Sequence, residues 1–353
     1  MPSRRHAMVA HPRGAAGVSS SSSSDPFVDD FWSRYFRGSL IRLVRLCAAG
    51  LAACTLFYFL APYSRLAETT THFVTWYAAF GSVGIVLGLA LRQWKSALLC
   101  VTFTLFYFVL IVPWFFPKPI LPANNEPSLR IMTANLLSIN GRMDLLPELV
   151  KETDPDILFV QELSPLWARS LDPLKKAYPY HVERTRSDHF GIGLYSTLPL
   201  SNVEVFNLAD ARYPAIRADI EFNGRLLSLL NMHTAPPLMS HMFTQRNYQL
   251  NAAATFAEGV DDLAIIAGDL NITMWSPYYR KLESESELRN VRRGVGILPT
   301  WPANMPFFQI ALDHILVSPE ILTVDVKRGP DIGSDHLPLV VDLFVPGPDT
   351  HGN

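Results

Sequence analysis

Three stretches of the chain carry no Asp, Glu, Lys or Arg: Leu46 to Ser64, Thr69 to Leu91, and Ser96 to Pro117. Each approaches the roughly 20 apolar residues that take a helix across a bilayer. Buried helices of a soluble core are a poor explanation for three such runs in succession. The pattern predicts three transmembrane helices within residues 31–117. Gly81, Gly84 and Gly88 recur at near-helical spacing in the second run, where small residues let a neighbouring helix approach. Trp76, Trp94 and Trp114 fall near the span ends, the level that indole prefers.

Beyond Pro117 the pattern changes. Pro119, Pro122 and Pro127, with Asn124 and Asn125, predict an extended linker over 118–127. From 128 to 346 short apolar runs are interleaved with helical periodicity. Residues 129–137, 156–163, 190–196, 215–222, 225–233, 263–268, 313–318 and 337–345 read as strands. Helices are expected at 142–152, 164–177 and 239–259. Several strands follow one another with no helix between them. That favours an α+β class, two sheets face to face with helices outside, over a doubly wound parallel sheet. A domain of this length can build a large core of its own. At the other end, residues 1–30 include the serine run Ser19–Ser24 and read as a disordered tail.

The predicted strands end on polar residues. LAIIAGDLNIT (263–273) runs from an apolar strand into Asp269 and Asn271; other strands lead to Asn135, to Gln161-Glu162, and to Asn231 and His233. Asp313-His314 opens a strand, and Asp335-His336 precedes the last one. Each alone reads as a turn or a solvated edge; together they are the way a sheet assembles a site from distant sequence. Four carboxylates, Glu162, Asp269, Asp313 and Asp335, would repel one another and any anionic substrate. A hard divalent cation removes that conflict, and oxygen ligands suit Mg2+ or Mn2+ better than Zn2+. With His233 and His336 able to stabilise or protonate phosphate oxygens, the set describes phosphoester hydrolysis by water.

Charge refines the picture. Net charge is −2, so no global basic field invites nucleic acid. Lys and Arg in the 128–346 segment are scattered, without the dense stripe that tracks a nucleic-acid backbone. Arg34, Arg37, Arg42 and Arg45 precede the first span, and Arg92 and Lys95 lie between the second and third; the intervening loop has Arg65 opposed by Glu68. Positive flanks stay cytoplasmic. The expected topology is therefore a cytoplasmic N-terminus and an extracytoplasmic domain on a multi-pass protein of the cell (cytoplasmic) membrane. Cys47, Cys54 and Cys100 all lie in the membrane part, so the exported domain holds no disulfide and is expected to stand on its own core.

Asn135, Gln161-Glu162, His233, GDLN (268–271), LDH (312–314) and GSDH (333–336), in this order, resemble the endonuclease/exonuclease/phosphatase superfamily. The layout, with NITMWSP (271–277) and PTWPA (299–303), resembles its three-span, membrane-anchored VanJ-like branch. The resemblance implies a four-layer α/β sandwich with its site at one end. It implies Glu162 as principal metal ligand with Asn135 beside it, and Asp335 as a second metal-side carboxylate. Asp269 would orient or deprotonate the attacking water, and Asn271 would contact phosphate or that water. Asp313 would hold His336, and His233 would stand near the leaving group. The expected activity is metal-dependent hydrolysis of a phosphoester, with a membrane lipid as the favoured substrate. An extracytoplasmic nuclease and a non-catalytic phospho-ligand binder are the alternatives. Arg246 reads either as a phosphate contact or as a helix-surface residue. Trp275, Tyr278 and Tyr279 read as core packing before substrate contacts.

Overall fold

The structure is a computed structural model that describes residues 26–117, 128–210 and 212–348. The linker expected at 118–127 and residues 1–25 of the expected tail lie outside the described residues. Four helices come first: α1 (Pro26–Leu60), α2 (Arg65–Thr71), α3 (Val74–Ala90) and α4 (Trp94–Ile111). Helix α1 begins inside the segment read as tail, so residues 26–30 are helical. The second predicted span is broken rather than straight, since α2 and α3 meet at a 66° bend. The polar side of α2 explains the break. Its Glu68 and Thr71 are buried, as is His72 after it, and Glu68 and His72 bond to residues far along the chain. A straight span would carry them into hydrocarbon. Helices α1 and α4 are long and apolar enough to cross a membrane, and the bent pair makes a third candidate. The expected glycine seam is present. A Cβ at Gly81 would lie 1.9 Å from Thr104 Oγ1, and one at Gly88 3.0 Å from Ala97 Cβ, both on α4.

The remainder is two packed mixed sheets with flanking helices. In chain order the elements are β1 (Ser128–Asn135), α5 (Leu145–Thr153), β2 (Ile157–Gln161), α6 (Pro165–Leu171), β3 (Tyr180–Arg184), β4 (Ile192–Ser196), β5 (Ser201–Asn207), β6 (Pro214–Phe222), β7 (Arg225–Met232), α7 (Ser240–Glu258), β8 (Leu263–Asp269), α8 (Pro277–Ser286), β9 (Arg289–Asn290), β10 (Asp313–Val317), β11 (Leu322–Arg328) and β12 (Leu339–Phe344). All eight expected strands are present within a residue or two of their ends, and β3, β5, β9, β11 and α8 are additional. The helix expected at 142–152 starts later, at Leu145, and that expected at 164–177 changes after Leu171 to a tighter 3-10 turn.

Each sheet has six strands, ordered β11-β12-β1-β2-β4-β3 and β5-β6-β7-β8-β10-β9. One parallel pair lies inside each, β1 with β2 and β7 with β8, joined through α5 and α7. All other strand pairs are antiparallel.

Alternation within strands sorts side chains between layers. Ile131 and Phe159 of one sheet meet Leu229 and Ile265 of the other in a core between the sheets. Met132, Leu158 and Val160 face the other way and pack on Leu146, Val150 and Trp167 from α5 and α6. On the far side Leu230 and Ile266 pack on Leu250 of α7 and Leu282 of α8. That last cluster continues without a break into Tyr58, Val74, Tyr107 and Trp114 of the helical unit. The domain therefore shares its outer core with the N-terminal helices instead of standing alone.

Candidate active site

The register brings the polar strand ends together. Asn135 pairs with Gln161 across β1 and β2, and Asp269 with Asp313 across β8 and β10. Thr133 pairs with Leu339, so the residues just before β12 reach the same end as Asn135. Beneath this end Gln161 Nε2 donates to Asn231 Oδ1 at 2.8 Å, a buried bond linking the two sheets. The sequence-level grouping of Gln161 and Asn231 with the site thus resolves into a structural tie. Gly268 has no substitute here: its φ is +140°, and a Cβ would fall 1.9 Å from the Met232 carbonyl oxygen.

Asp269 sits at the centre, almost wholly buried. Its Oδ2 accepts from Asn135 Nδ2 at 3.1 Å and lies 3.3 Å from His233 Nε2 and 3.6 Å from His336 Nε2. Its Oδ1 accepts from the Asn271 N–H at 2.9 Å. On the other side of His336, Nδ1 lies 2.8 Å from Asp313 Oδ2. Burial alone would raise the Asp269 carboxyl, but the charge of His336 and the bond from His233 outweigh it and hold it at about 2. Burial works against a charged His336, yet Asp313 and Asp269 push it up to about 10. His233 is also raised, burial being overcome by its bond to Asp269.

Glu162 stands next to this relay. The Asn135 amide reaches its Oε1 at 3.3 Å while also contacting Asp269. In this arrangement Asn135 offers N–H to both carboxylates, and its oxygen accepts from the Leu137 N–H. Oε2 of Glu162 accepts from the backbone N–H and the hydroxyl of Ser138, each at 3.0 Å, and lies 3.0 Å from His189 Nδ1. Burial would raise Glu162, but the charge of His233 and the Ser138 bonds lower it. Ser138 and His189 were not singled out from the sequence. Both lie in loops, and only their tertiary approach to Glu162 identifies them. Leu137, Glu162, His189 and Asn271 all have positive φ, between 47° and 67°. Such strain in side-chain-bearing residues costs about 1–3 kcal/mol each and concentrates at functional sites.

The donor set fits a divalent cation. Asp335 Oδ1 is buried with no hydrogen-bond partner among the described residues, an expensive condition for a carboxylate oxygen that a hard cation relieves. Ligand atoms of Asp269, Asp313 and His336 lie within 4.8 Å of one another. That trio differs from the expected metal side of Glu162, Asn135 and Asp335. Because both ring nitrogens of His336 already face carboxylates, the trio is better read as a hydrogen-bonded relay than as a cation cage. Trp301 Nε1 donates to Asp335 Oδ2 at 3.0 Å, fixing that carboxylate from the PTWPA segment.

The remaining residues sort clearly. Asn271 Nδ2 donates to the Thr234 carbonyl at 2.9 Å, which fixes its side chain at the rim. Arg246 is neither a phosphate contact nor a surface residue: it is fully buried, with Nη2 3.0 Å from Glu68 Oε1 and Nη1 donating to the Asn271 carbonyl at 3.2 Å. Trp275 and Tyr279 are core, Trp275 meeting Trp114 edge-on at 5.9 Å. His314 is also core, its Nε2 paired with the Ile272 carbonyl.

This constellation at one end of two packed mixed sheets defines a phosphoesterase or nuclease fold. The chain belongs to the endonuclease/exonuclease/phosphatase family, whose model matches residues 132–336. No curated protein matches it. Among solved structures it is similar to an endonuclease/exonuclease/phosphatase from Bacteroides vulgatus, at 17% identity over 63% of this chain and 100% of that one, TM-score 0.55. A D. rerio TDP2 complexed with a single-strand DNA product is similar at 18% identity over 62% and 99%, TM-score 0.52. A third, from Beutenbergia cavernae, has 18% identity over 62% and 72%, TM-score 0.52. At these identities the likeness is one of fold. Members of the family are hydrolases that act on phosphoesters and are generally dependent on divalent metal.

Proposed function

We propose that this chain is a membrane-anchored, divalent-metal-dependent phosphoester hydrolase of the VanJ-like branch, working outside the cytoplasmic membrane on a lipid-linked or envelope phosphoester. Residues 31–117 form the membrane unit, 118–127 the linker and 128–346 the catalytic domain. The observation that carries the reading is Asp269 Oδ2, within 3.6 Å of Nε2 of both His233 and His336 and bonded to Asn135. Glu162 and Asp335, with Asn135 at their side, would hold Mg2+ or Mn2+, which would supply positive charge to neutralise the phosphate and the crowded carboxylates. Asp269 orients the attacking water and takes its proton. His336, with a carboxylate at each ring nitrogen, is held as an imidazolium and stabilises phosphoryl oxygens. Asp313 keeps it oriented. Asn271 positions the phosphate or the water, and His233 supplies a proton toward the leaving group.

The positive flanks of the apolar runs support the cytoplasmic N-terminus, and the anchoring helices support a substrate at the membrane. A nuclease is the second reading, favoured by the fold's likeness to a TDP2 that is complexed with single-strand DNA product. A phospho-ligand binder without turnover is the third. The test uses full-length protein in detergent with Mg2+, with Mn2+ and with chelator, on an envelope-lipid extract and on supercoiled plasmid. Metal-dependent lipid phosphoester cleavage, lost in His336→Ala, is the expected result. Plasmid nicking without lipid turnover would replace it with the nuclease. Phosphorylated ligand held with no turnover under any divalent ion would replace it with the binder.

A further inference from the structure

Two loops leave the site, one reaching the start of α2 and the other the first turn of α3. The first follows His233. Its Pro237 and Leu238 carbonyls accept from Arg65 Nη1, at 3.3 and 3.1 Å, at the start of α2. The second holds Asp335 through Trp301 Nε1 and through the Ala303 N–H, which donates to the Asp335 carbonyl at 2.7 Å. It ends at Phe308, whose ring stacks on Trp76 at 5.3 Å and 22°. Trp76 lies in the first turn of α3 and packs on Phe80 one turn deeper at 5.7 Å. Phe308 thus reaches the level at which the span begins.

The tips of both loops are apolar and bare. Leu238 is 74% exposed, Met239 59%, Phe307 80% and Phe308 61%. Between the loops α2 lies bent away from α3, with Ala67, Glu68 and Thr71 buried and Leu66 exposed. Apolar and aromatic side chains at the margin of a span gain by entering the interfacial layer of a bilayer. Exposed in water, the same side chains form a sticky patch that soluble surfaces avoid.

We propose that the 237–239 and 303–308 loops rest in the surface layer of the lipid bilayer, beside the outer ends of the membrane helices. This inference rests on the membrane reading above. It holds the site's rim at the lipid surface, and the substrate is an amphiphile whose phosphoester lies in that layer while its hydrocarbon stays in the leaflet.

The test places trifluoromethyl-phenylalanine singly at positions 307, 238, 105 and 203 of the full-length protein in phosphatidylglycerol–phosphatidylcholine nanodiscs. Leu105 is exposed on α4 and reports the membrane; Val203 is on edge strand β5 and reports water. Fluorine relaxation is read with a lipid spin-labelled near its headgroup and with a water-soluble gadolinium chelate. Positions 307 and 238 are expected to relax at least threefold faster than 203 with the spin-labelled lipid, and slower than 203 with the chelate. If they follow 203 while 105 reports lipid, the loops do not touch the bilayer and the membrane reading survives. If 105 also follows 203, the membrane reading itself fails. Protection of 307 and 238 from both agents would assign the loops to another protein or a second copy, and overturn the inference. For the substrate class, Leu238→Asp with Phe307→Asp is expected to lower the ratio of kcat/KM for a vesicle phospholipid over bis(p-nitrophenyl) phosphate at least tenfold. An unchanged ratio rejects it.

Discussion

Replacing Glu68 by Ala tests whether the N-terminal helices and the two-sheet domain are one structure. Glu68 Oε1 accepts from Arg246 Nη2 at 3.0 Å and from the Ser276 hydroxyl at 2.7 Å, and both Glu68 and Arg246 are fully buried. Removing one member of a buried pair strands the other charge, at a cost of about 3–5 kcal/mol. At roughly 2–4 °C per kcal/mol for a domain of this size, the unfolding temperature should fall by on the order of 10 °C. The double variant Glu68→Leu with Arg246→Met removes both charges and should recover most of that loss, since a well-packed apolar pair is often as stable as a buried ion pair. Arg246 Nη1 also holds the Asn271 carbonyl, so the single variant should lower kcat at temperatures where it remains folded. Unfolding of full-length protein, followed by the fluorescence of Trp275 where it meets Trp114, reads the interface directly. A loss below 1 kcal/mol for Glu68→Ala, or a double variant no better than the single one, would refute the reasoning.

In chelator-treated protein, His336 should remain protonated to about pH 10, against an ordinary value of about 6.5. Its folded value is raised, so its contribution to stability is complete below about pH 6.5 and is lost as pH rises toward 10. Asp313→Asn should shift both the imidazole NMR titration and the alkaline loss of stability to lower pH; an unmoved titration would remove Asp313 from that role. Gly268→Ala should cost at least about 2 kcal/mol in urea unfolding, because an L-residue at that φ is strained and its Cβ would meet the Met232 carbonyl; near-wild-type stability would contradict that geometry. Gly84→Leu should loosen the helical seam, since even a Cβ there would lie 2.9 Å from Cys100 Sγ, and cysteine labelling of Cys100 should speed up several-fold.

What could be read from the sequence follows from where contrast exists. Central strands such as β8 bury both faces, so their apolar runs stand out, and their polar ends stand out against them. Edge strand β5 is almost entirely exposed and β11 alternates into Asp325, Lys327 and Arg328, so neither shows a run. Helix α8, with Arg280, Lys281, Glu283 and Glu285, looks like a loop until its Ser276 cap and the buried Tyr279 and Leu282 are seen. The site divides in the same way. Asp269 and Asp313 stood out at ends of strands that register places opposite each other, whereas His336 joins them from just before β12 in the facing sheet, through its bond to Asp313. Ser138 and His189 reach Glu162 from loops, and periodicity says nothing about where a loop folds.

Glu68 marks the deeper limit. Beside Arg65 it reads as a loop charge between two spans, a small correction to a topology count. Its partner Arg246 lies 178 positions away, and nothing local relates them. Yet the sequence did hold a clue: a carboxylate immediately ahead of an apolar run, with His72 four residues on, is costly wherever that run meets lipid. Such a pair persists only where something polar receives it. Here Arg246, Ser276 and Thr273 do so, and all three flank the loop that carries Asp269 and Asn271. The bend between α2 and α3 follows from that demand, because one straight helix cannot both cross a bilayer and deliver Glu68 and His72 to the domain. The N-terminal helices therefore help to set the geometry of the loop that carries Asp269 and Asn271.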